Sequence, residues 1–189
     1  MNAIALMRDL PVHKLTVDDV RAMLESGVLD RTAKYELIEG VVYDVPSENP
    51  PHIDFKSEIV IHLARTVPDE WFVVADATLK LSLDNAPSPD VYVFPAHIAT
   101  ADLKPSDVSL VIEIADTSLS DDLGPKAALY ARYGVQEYWV VDIARRVILA
   151  HRVRDGEGWA APLEISAEET AVCAGVPALR LRLADLKRV

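Results

Sequence analysis

The sequence predicts a single domain of the mixed α/β (α+β) class over residues 1–189, with a β-sheet flanked by helices. Half of the 189 residues are hydrophobic, which is enough for one good core and short for two. Residues 109–142 carry the clearest pattern, because a buried strand, a helix and a second buried strand follow one another there. Two strands joined through a helix are expected to lie parallel, with a right-handed crossover.

The two strands of this central unit are predicted from apolar runs. Residues 110–114 are apolar except for Glu113, and residues 138–141 form a second run that closes at Asp142. Such runs are typical of strands covered on both faces. Glu113 is therefore anomalous, because an ionised carboxylate in an apolar interior is costly unless a metal ion or a lysine stabilises it. The alternative is that Glu113 lies on a solvated edge.

The helix between these strands is predicted to begin at Asp121 or Asp122, with Pro125 in its first turn. Lys126 then also falls in the first turn, where a cation is poorly placed against the helix dipole unless an anion lies nearby. Glu113 is a candidate for that anion. Otherwise Lys126 points into water.

Two further helices and a hairpin are predicted in the first third of the chain. A helix follows Thr16, which is a suitable N-cap, and ends at Gly27. Residues 35–45 predict a hairpin about a Glu-Gly turn. Residues 52–66 predict a second helix, because large apolar residues recur there at a spacing of four.

The remaining predicted elements are strands and one more hairpin. Strands are expected at residues 71–74, 77–83, 90–94 and 179–183, and a hairpin at residues 143–154.

Composition limits the class of function. The net charge of −11 argues against a general nucleic-acid coat protein, since phosphate contacts need concentrated Lys and Arg. It is compatible with a nuclease whose carboxylates hold a divalent cation. The single Cys173 excludes an internal disulfide framework and a multi-cysteine metal site. Because no run approaches membrane-spanning length and the first residues lack a signal-peptide pattern, we expect a cytoplasmic protein without a membrane partner.

Asp90 and Glu113 are the candidate metal ligands. Asp90 begins one predicted strand and Glu113 lies near the end of another, so the two could converge on one sheet edge and offer the oxygen ligands that suit Mg²⁺ or Mn²⁺. Such an ion activates water against a phosphodiester, and a lysine neutralises charge in the transition state. Lys126 is the candidate lysine.

Glu36 and His52 are supporting candidates. Glu36 is a candidate third ligand or charge partner, and His52 a candidate proton carrier or ligand of the attacking water. For each residue an ordinary role is the alternative, since a glutamate at a strand start is usually solvated and a histidine that begins a helix usually caps it.

Five blocks of the chain are similar to one known family, the Uma family of putative restriction endonucleases within the PD-(D/E)XK nuclease superfamily. They are Tyr-Glu-Leu-Ile-Glu-Gly at 35–40, Pro-His at 51–52, Pro-Asp-Val at 89–91, the stretch made of residues 111–118 and 126–142, and residues 177–186. The resemblance implies a restriction-endonuclease-like fold, a mixed sheet flanked by helices, with a divalent metal ion at Asp90 and Glu113. In the (D/E)-x-Lys motif the lysine comes two positions after the acid. That position is Ala115 in this chain, so Lys126 would have to act in place of the motif's lysine.

Two functional hypotheses follow from the residues and the resemblance. The first is a Mg²⁺-dependent endonuclease that hydrolyses phosphodiester bonds in DNA, with Asp90 and Glu113 as ligands. The second is a non-catalytic dimeric module that keeps the fold and binds a protein or nucleic-acid partner, which the acidic balance and Ala115 favour. A homodimer is expected because the segments 143–154 and 179–183 offer apolar edges to cover.

Overall fold

The computed structural model describes residues 12–152 and 158–188. The chain forms two compact units. Among the described residues, the smaller unit contains residues 12–46 and 82–87, and the larger unit contains residues 47–81, 88–152 and 158–188. No helix in these ranges is both long enough and apolar enough to cross a membrane.

The smaller unit begins with helix α1, Val17–Ser26, as the sequence predicts. The Asp19 backbone N–H donates to Thr16 Oγ1 at 3.2 Å, and the Thr16 N–H donates to the Asp19 carboxylate at 2.8 Å. This capping box satisfies two of the N–H groups that every helix start leaves without partners. The helix ends at Gly27, whose φ of 77° is left-handed.

The predicted hairpin of the smaller unit pairs β1, Tyr35–Ile38, with β2, Val41–Asp44. Glu39 and Gly40 form its turn with φ values of 51° and 76°. Two consecutive left-handed residues give the turn whose twist matches that of the paired strands. A Cβ at Gly40 would also collide with Lys14, so glycine is required there on both counts.

The larger unit is built on a six-stranded mixed sheet of order β3-β4-β5-β6-β7-β8. Its strands are β3, Trp71–Ala75; β4, Val91–Pro95; β5, Leu110–Ala115; β6, Glu137–Asp142; β7, Val147–Arg152; and β8, Leu163–Ser166. The β5–β6 pair is parallel and the other four pairs are antiparallel. The predicted mixed sheet and its parallel crossover are therefore confirmed. A separate short ladder joins β9, Ala171–Val172, to β10, Arg180–Leu181.

Helices lie beside this sheet. Helix α2 is Pro50–Thr66, and helix α3 spans residues 119–132 as Leu119–Asp121, a π-helical turn Asp122–Lys126, and Ala127–Arg132. Short 3₁₀ turns occur at Thr100–Asp102, Pro105–Asp107 and Leu183–Asp185.

The start of α3 differs from the prediction. The helix begins at Leu119, two or three residues before the predicted caps, and Pro125 lies inside it rather than in its first turn. Pro125 has no N–H to donate, and the wider π-helical turn accommodates that loss without ending the helix. Asp122 does not cap the helix, because its buried carboxylate accepts a hydrogen bond from the Ser118 hydroxyl at 2.5 Å.

The main core lies between α2 and one face of the sheet. Helix α2 contributes Phe55, Ile59 and Leu63, and these pack with alternate residues of β5 and β6 such as Ile112 and Trp139. The residues between them in sequence point to the opposite face, since strand side chains alternate. That opposite face carries Glu113 and is approached by α3.

One predicted strand is wrong. Residues 77–83 are not paired in a β-ladder. Leu79 and Leu81 are buried and Lys80 is exposed, as the alternation predicts, but Leu83 is 67% exposed. Alternation predicts which side chains are buried, but a strand also needs a hydrogen-bonded neighbour, and this segment forms no ladder although β3 is the last strand at its end of the sheet.

The two segments expected to offer apolar edges have mostly buried apolar side chains where the structure describes them, and residues 153 and 154 lie outside the described ranges. Strand β7 of the predicted hairpin lies between β6 and β8, and its Val147–Ala150 portion is buried. In the late segment only Arg180–Leu181 forms a strand, and Leu179 and Leu183 are fully buried in the core. The reason given for a homodimer is therefore wrong, because these apolar side chains are covered within the chain itself.

Candidate metal and active site

Asp90 and Glu113 lie across from each other on neighbouring strands. Strand β4 pairs antiparallel with β5 up to Val91 and Ile112, and Asp90 and Glu113 come one position further. The Asp90 N–H donates to Glu113 Oε2 at 3.4 Å, and the Ile114 N–H donates to Asp90 Oδ2 at 2.8 Å. Two acids that are distant in sequence are thus held side by side at neighbouring strand ends. Asp90 is 6% exposed and Glu113 is 4% exposed.

Glu113 is stabilised by two groups of helix α3. Lys126 Nζ lies 3.2 Å from Glu113 Oε1, and the Tyr130 hydroxyl donates to the same oxygen at 3.0 Å. Lys126 Nζ is also 3.7 Å from Asp122 Oδ1. A buried carboxylate with a cation and a hydroxyl donor is adequately stabilised, so Glu113 does not lie on a solvated edge.

Lys126 reaches this position from the second turn of α3 and not from its first, because the helix begins earlier than predicted. It lies at the end of the π-helical turn that contains Pro125. Such turns shift the side chains that follow them around the helix, and they are frequent at functional sites. Lys126 and Glu113 are close to each other, as predicted, but the helix that carries Lys126 begins earlier than predicted and contains a π-helical turn.

A second group of ligand atoms surrounds Asp90. Glu48, His52 and Asp90 each offer one potential ligand atom, and these atoms lie within 4.8 Å of one another. His52 lies in the first turn of α2, which begins at Pro50, and its N–H donates to the side chain of the N-cap residue Asn49 at 3.1 Å. Its Nε2 lies 3.0 Å from Asp90 Oδ1. The sequence-predicted His52 is therefore brought to Asp90.

His52 carries its proton more readily than an ordinary histidine. Burial opposes the charged imidazole, but the hydrogen bond and charge of Asp90, together with the charge of Glu48, outweigh it and raise the pKa of His52. The imidazole nitrogen that faces Asp90 is thus suited to hold a proton there when no cation is bound.

Sequence analysis did not single out Glu48. It lies in the proline-rich segment before α2, where no periodicity marks a functional residue. The only feature of the sequence that could have indicated a functional role for Glu48 is its position four residues before His52.

Lys56 was also missed, and it fixes Glu48 in place. Its buried ammonium donates to the Glu48 carboxylate at 2.5 Å and to Asp76 Oδ1 at 2.7 Å. Burial lowers the pKa of Lys56, but the hydrogen bonds and charges of Asp76 and Glu48 raise it by more than burial lowers it. The pKa of Lys56 is therefore above its ordinary value. The signal in the sequence was a lysine one helical turn after His52, next to the buried Phe55.

Glu36 belongs to the smaller unit. It lies in β1 opposite Tyr43, with 8% of its surface exposed, so it is not a solvated strand-start residue. Its role as a ligand or charge partner stays a prediction.

The donor set around Asp90 fits a divalent metal ion. Carboxylate oxygens are the ligands that Mg²⁺ and Mn²⁺ prefer, and one imidazole is compatible with Mn²⁺. Asp90 and Glu48 supply carboxylates and His52 supplies the imidazole. Glu113 adds a third carboxylate next to Asp90, with Lys126 and Tyr130 both engaged at its Oε1.

Comparisons with known proteins show the family and the fold of the chain. The model of the Uma2 family, described as putative restriction endonuclease, matches residues 18–184. The crystal structure of a putative nuclease belonging to DUF820 from Anabaena variabilis ATCC 29413 has a similar fold, with a TM-score of 0.72 and 19% sequence identity. That match covers 93% of this chain and 97% of the other. No curated protein matches the chain.

Proposed function

We propose that this chain, which belongs to the Uma2 family of putative restriction endonucleases, is a divalent-metal-dependent endonuclease. Its reaction would be the hydrolysis of phosphodiester bonds in DNA. The family and the nuclease-like fold support the broad class. The observation that most supports the specific proposal is the Asp90–Glu113 pair, buried on adjacent strands with Lys126 3.2 Å from Glu113. Carboxylates gathered beside a lysine are the groups that phosphodiester hydrolysis requires.

We assign Asp90 and Glu113 as ligands of Mg²⁺ or Mn²⁺, with Glu48 and His52 completing the set. A bound ion of this kind supplies a polarised phosphoryl oxygen and an acidic water. The Lys126 ammonium is placed to neutralise charge that develops on the phosphoryl group. His52 Nε2 lies 3.0 Å from Asp90 Oδ1, so this nitrogen would coordinate the ion when one is bound and is suited to hold a proton beside Asp90 when none is.

Tyr130 is a positioning residue in this proposal. Its hydroxyl shares Glu113 Oε1 with Lys126, so it limits the orientations that the carboxylate can adopt. Glu36, which is buried in β1 of the smaller unit, is retained as a proposed supporting carboxylate.

A cleavage screen tests the proposal. Single-stranded, duplex and branched DNA are incubated with the protein and millimolar Mg²⁺ or Mn²⁺, with Glu113→Gln as the inactive variant and Asp69→Asn, an exposed acid, as the matched control. We expect cleavage by the parent and by Asp69→Asn and none by Glu113→Gln. Equal cleavage by parent and Glu113→Gln, or none by any protein with either metal, would reject the assignment.

A second candidate function is a non-catalytic module that binds a partner. Ala115, at the position of the usual lysine, is buried at the end of β5, where a long cationic side chain is not accommodated. That observation favours the module over the nuclease. Metal titration separates the two, because the nuclease requires a Mg²⁺ or Mn²⁺ site at Asp90 and the module does not.

Homodimerisation and a cytoplasmic location are further parts of the proposal. The feature that supports a dimer is Leu163, which is 54% exposed on the edge strand β8. Light scattering that gives a monomer mass at every concentration would reject the dimer. The proposed cytoplasmic location is supported by the single Cys173, since a chain without a cysteine pair suits a reducing compartment.

A further inference from the structure

Asp76 follows strand β3 and has an unusual backbone conformation. Its φ of 55° is left-handed, and among the described residues of the larger unit Arg146 is the only other non-glycine residue with a positive φ. Aspartate and asparagine adopt this conformation more readily than most residues with a side chain, and glycine adopts it most readily of all. A turn at this position would therefore be formed equally well by Gly or Asn, and it does not by itself require a carboxylate.

The backbone of Asp76 is joined to that of Asp90. Ala75 pairs with Val91 in the ladder between β3 and β4, and one position further the Asp76 N–H donates to the Asp90 carbonyl oxygen at 3.2 Å. Asp90 directs its side chain at His52, with 3.0 Å between Asp90 Oδ1 and His52 Nε2. The end of β3 thus helps to fix the backbone that carries a proposed metal ligand.

The side chain of Asp76 is joined to Glu48 through Lys56. The Lys56 ammonium donates to Asp76 Oδ1 at 2.7 Å and to both carboxylate oxygens of Glu48 at 2.5 Å. An ammonium group has three N–H donors, and these three bonds use all of them. The Lys56 side chain is 9% exposed and the Asp76 side chain is 48% exposed. Lys56 is therefore held between two carboxylates and has no donor left for a substrate.

We propose that Asp76 is a positioning residue of the metal site, which holds Asp90 through its backbone and Glu48 through Lys56. The inference rests on the proposed function in taking Asp90 and Glu48 as metal ligands. Among the described residues, the group of ligand atoms within 4.8 Å of one another comprises Glu48, His52 and Asp90. Asp76 lies outside that group, so it acts on the ligands and not on the ion.

The Asp76 carboxylate also determines how strongly Lys56 competes with the ion for Glu48. A glutamate whose two oxygens both accept from one ammonium must give up part of that bonding when it coordinates an ion. Because Asp76 shares the ammonium, Glu48 can turn one oxygen toward the ion while the buried Lys56 charge stays paired. Removal of the Asp76 carboxylate should therefore weaken metal binding, although Asp76 does not touch the ion.

Isothermal titration of the full chain with Mn²⁺ tests the inference. Asp76→Asn and Asp76→Gly both keep a residue that adopts the left-handed conformation and an N–H for Asp90, and both remove the carboxylate. We expect each variant to raise the dissociation constant for Mn²⁺ by about 10- to 100-fold. Asp69→Asn, which removes the same charge from an exposed acid outside this network, is the matched control and should bind as the parent does. A residue needed only for the turn would leave the affinity unchanged in both Asp76 variants, and that result would overturn the inference.

A double-mutant cycle distinguishes action through Lys56 from a general loss of negative charge. Lys56→Met removes the ammonium that connects Asp76 to Glu48. In that background Asp76→Asn should weaken Mn²⁺ binding by less than about two-fold, the limit expected for residues that no longer interact. A long-range charge effect would instead weaken binding by the same factor in both backgrounds, which would overturn the assigned route through Lys56.

The outcomes separate this inference from the proposed function. If one Asp76 variant does not fold, the other decides. A parent that binds no Mn²⁺ overturns the metal assignment together with this inference, whereas a parent that binds Mn²⁺ with the same affinity as the folded Asp76 variants overturns this inference alone. Weaker binding in the Asp76 variants of a parent that never cleaves DNA supports the positioning role and rejects the nuclease.

Discussion

Lys126 Nζ lies 3.2 Å from Glu113 Oε1, although the two residues are thirteen positions apart and belong to a helix and a strand. The pair is largely covered, with the Lys126 side chain 18% exposed and the Glu113 side chain 5% exposed. This contact explains how an acid is accommodated in an apolar strand. It also places an ammonium group beside the carboxylate from α3, since Ala115 cannot supply one from the strand.

We expect Lys126→Met to lower the cleavage rate by about two to three orders of magnitude, the usual effect of losing one electrostatic stabiliser of a transition state. Folding should persist with a free energy of unfolding lower by about 1–3 kcal/mol, because the buried Glu113 carboxylate loses the neighbouring ammonium charge. Single-turnover cleavage and urea unfolding measure both effects. Lys104→Met, at an exposed lysine, is the control. A Lys126→Met protein that cleaves as fast as the parent would remove Lys126 from the mechanism.

Metal ions should stabilise the protein through the carboxylates. At a hundred-fold excess over the dissociation constant, Mn²⁺ or Mg²⁺ adds about 2.7 kcal/mol to the free energy of unfolding, provided that only the folded state binds. For a chain of this size that corresponds to a rise in Tm of roughly 5–10 °C. Asp90→Asn should abolish the rise and Asp69→Asn should retain it. Differential scanning calorimetry with and without metal makes the comparison, and an unchanged Tm in the parent at millimolar metal counts against the site.

Glu48 should contribute to metal affinity through its place beside His52 and Asp90. Glu48→Gln keeps the shape but removes the charge, and we expect the dissociation constant for Mn²⁺ to rise by about 10- to 100-fold. Lys56→Met should give a similar loss, because Glu48 and Asp76 then lack the ammonium that holds them. Isothermal titration with Mn²⁺ gives the constants. Unchanged affinity in both variants would confine the site to Asp90 and Glu113.

Much of the fold follows from local patterns in the sequence. The strands on either side of α3 are recognisable because both are continuous apolar runs, and helices α1 and α2 are marked by caps and periodic apolar residues. The start of α3 was not predictable, since Pro125 inside a helix is accommodated only by the π-helical turn. Residues 77–83 show the converse case, because their pattern is that of a strand but they form no ladder with another strand.

The candidate site was predictable only in part, for a physical reason. Asp90 and Glu113 stand out because each is an acid in an apolar strand context. Glu48 and Lys56 have polar or helical surroundings in the sequence, and only tertiary packing buries Lys56 against two acids. The role of Glu36 and the single domain over residues 1–189 stay predictions.

The free energy of unfolding should fall in mild acid because of His151. Burial lowers the pKa of His151 below its ordinary value of 6.5, so the unfolded chain binds this proton more readily than the folded protein does. The contribution of the neutral ring is fully present above pH 6.5 and is lost as the pH falls below it, with a slope of at most about 1.4 kcal/mol per pH unit. His151→Phe retains a ring against Tyr138 but cannot titrate, so the loss of stability between pH 7 and pH 5 should be smaller in this variant than in the parent. Urea unfolding at pH 8, 7, 6 and 5 measures the two slopes. Parallel curves for parent and variant would show that the imidazole is not held neutral by its surroundings.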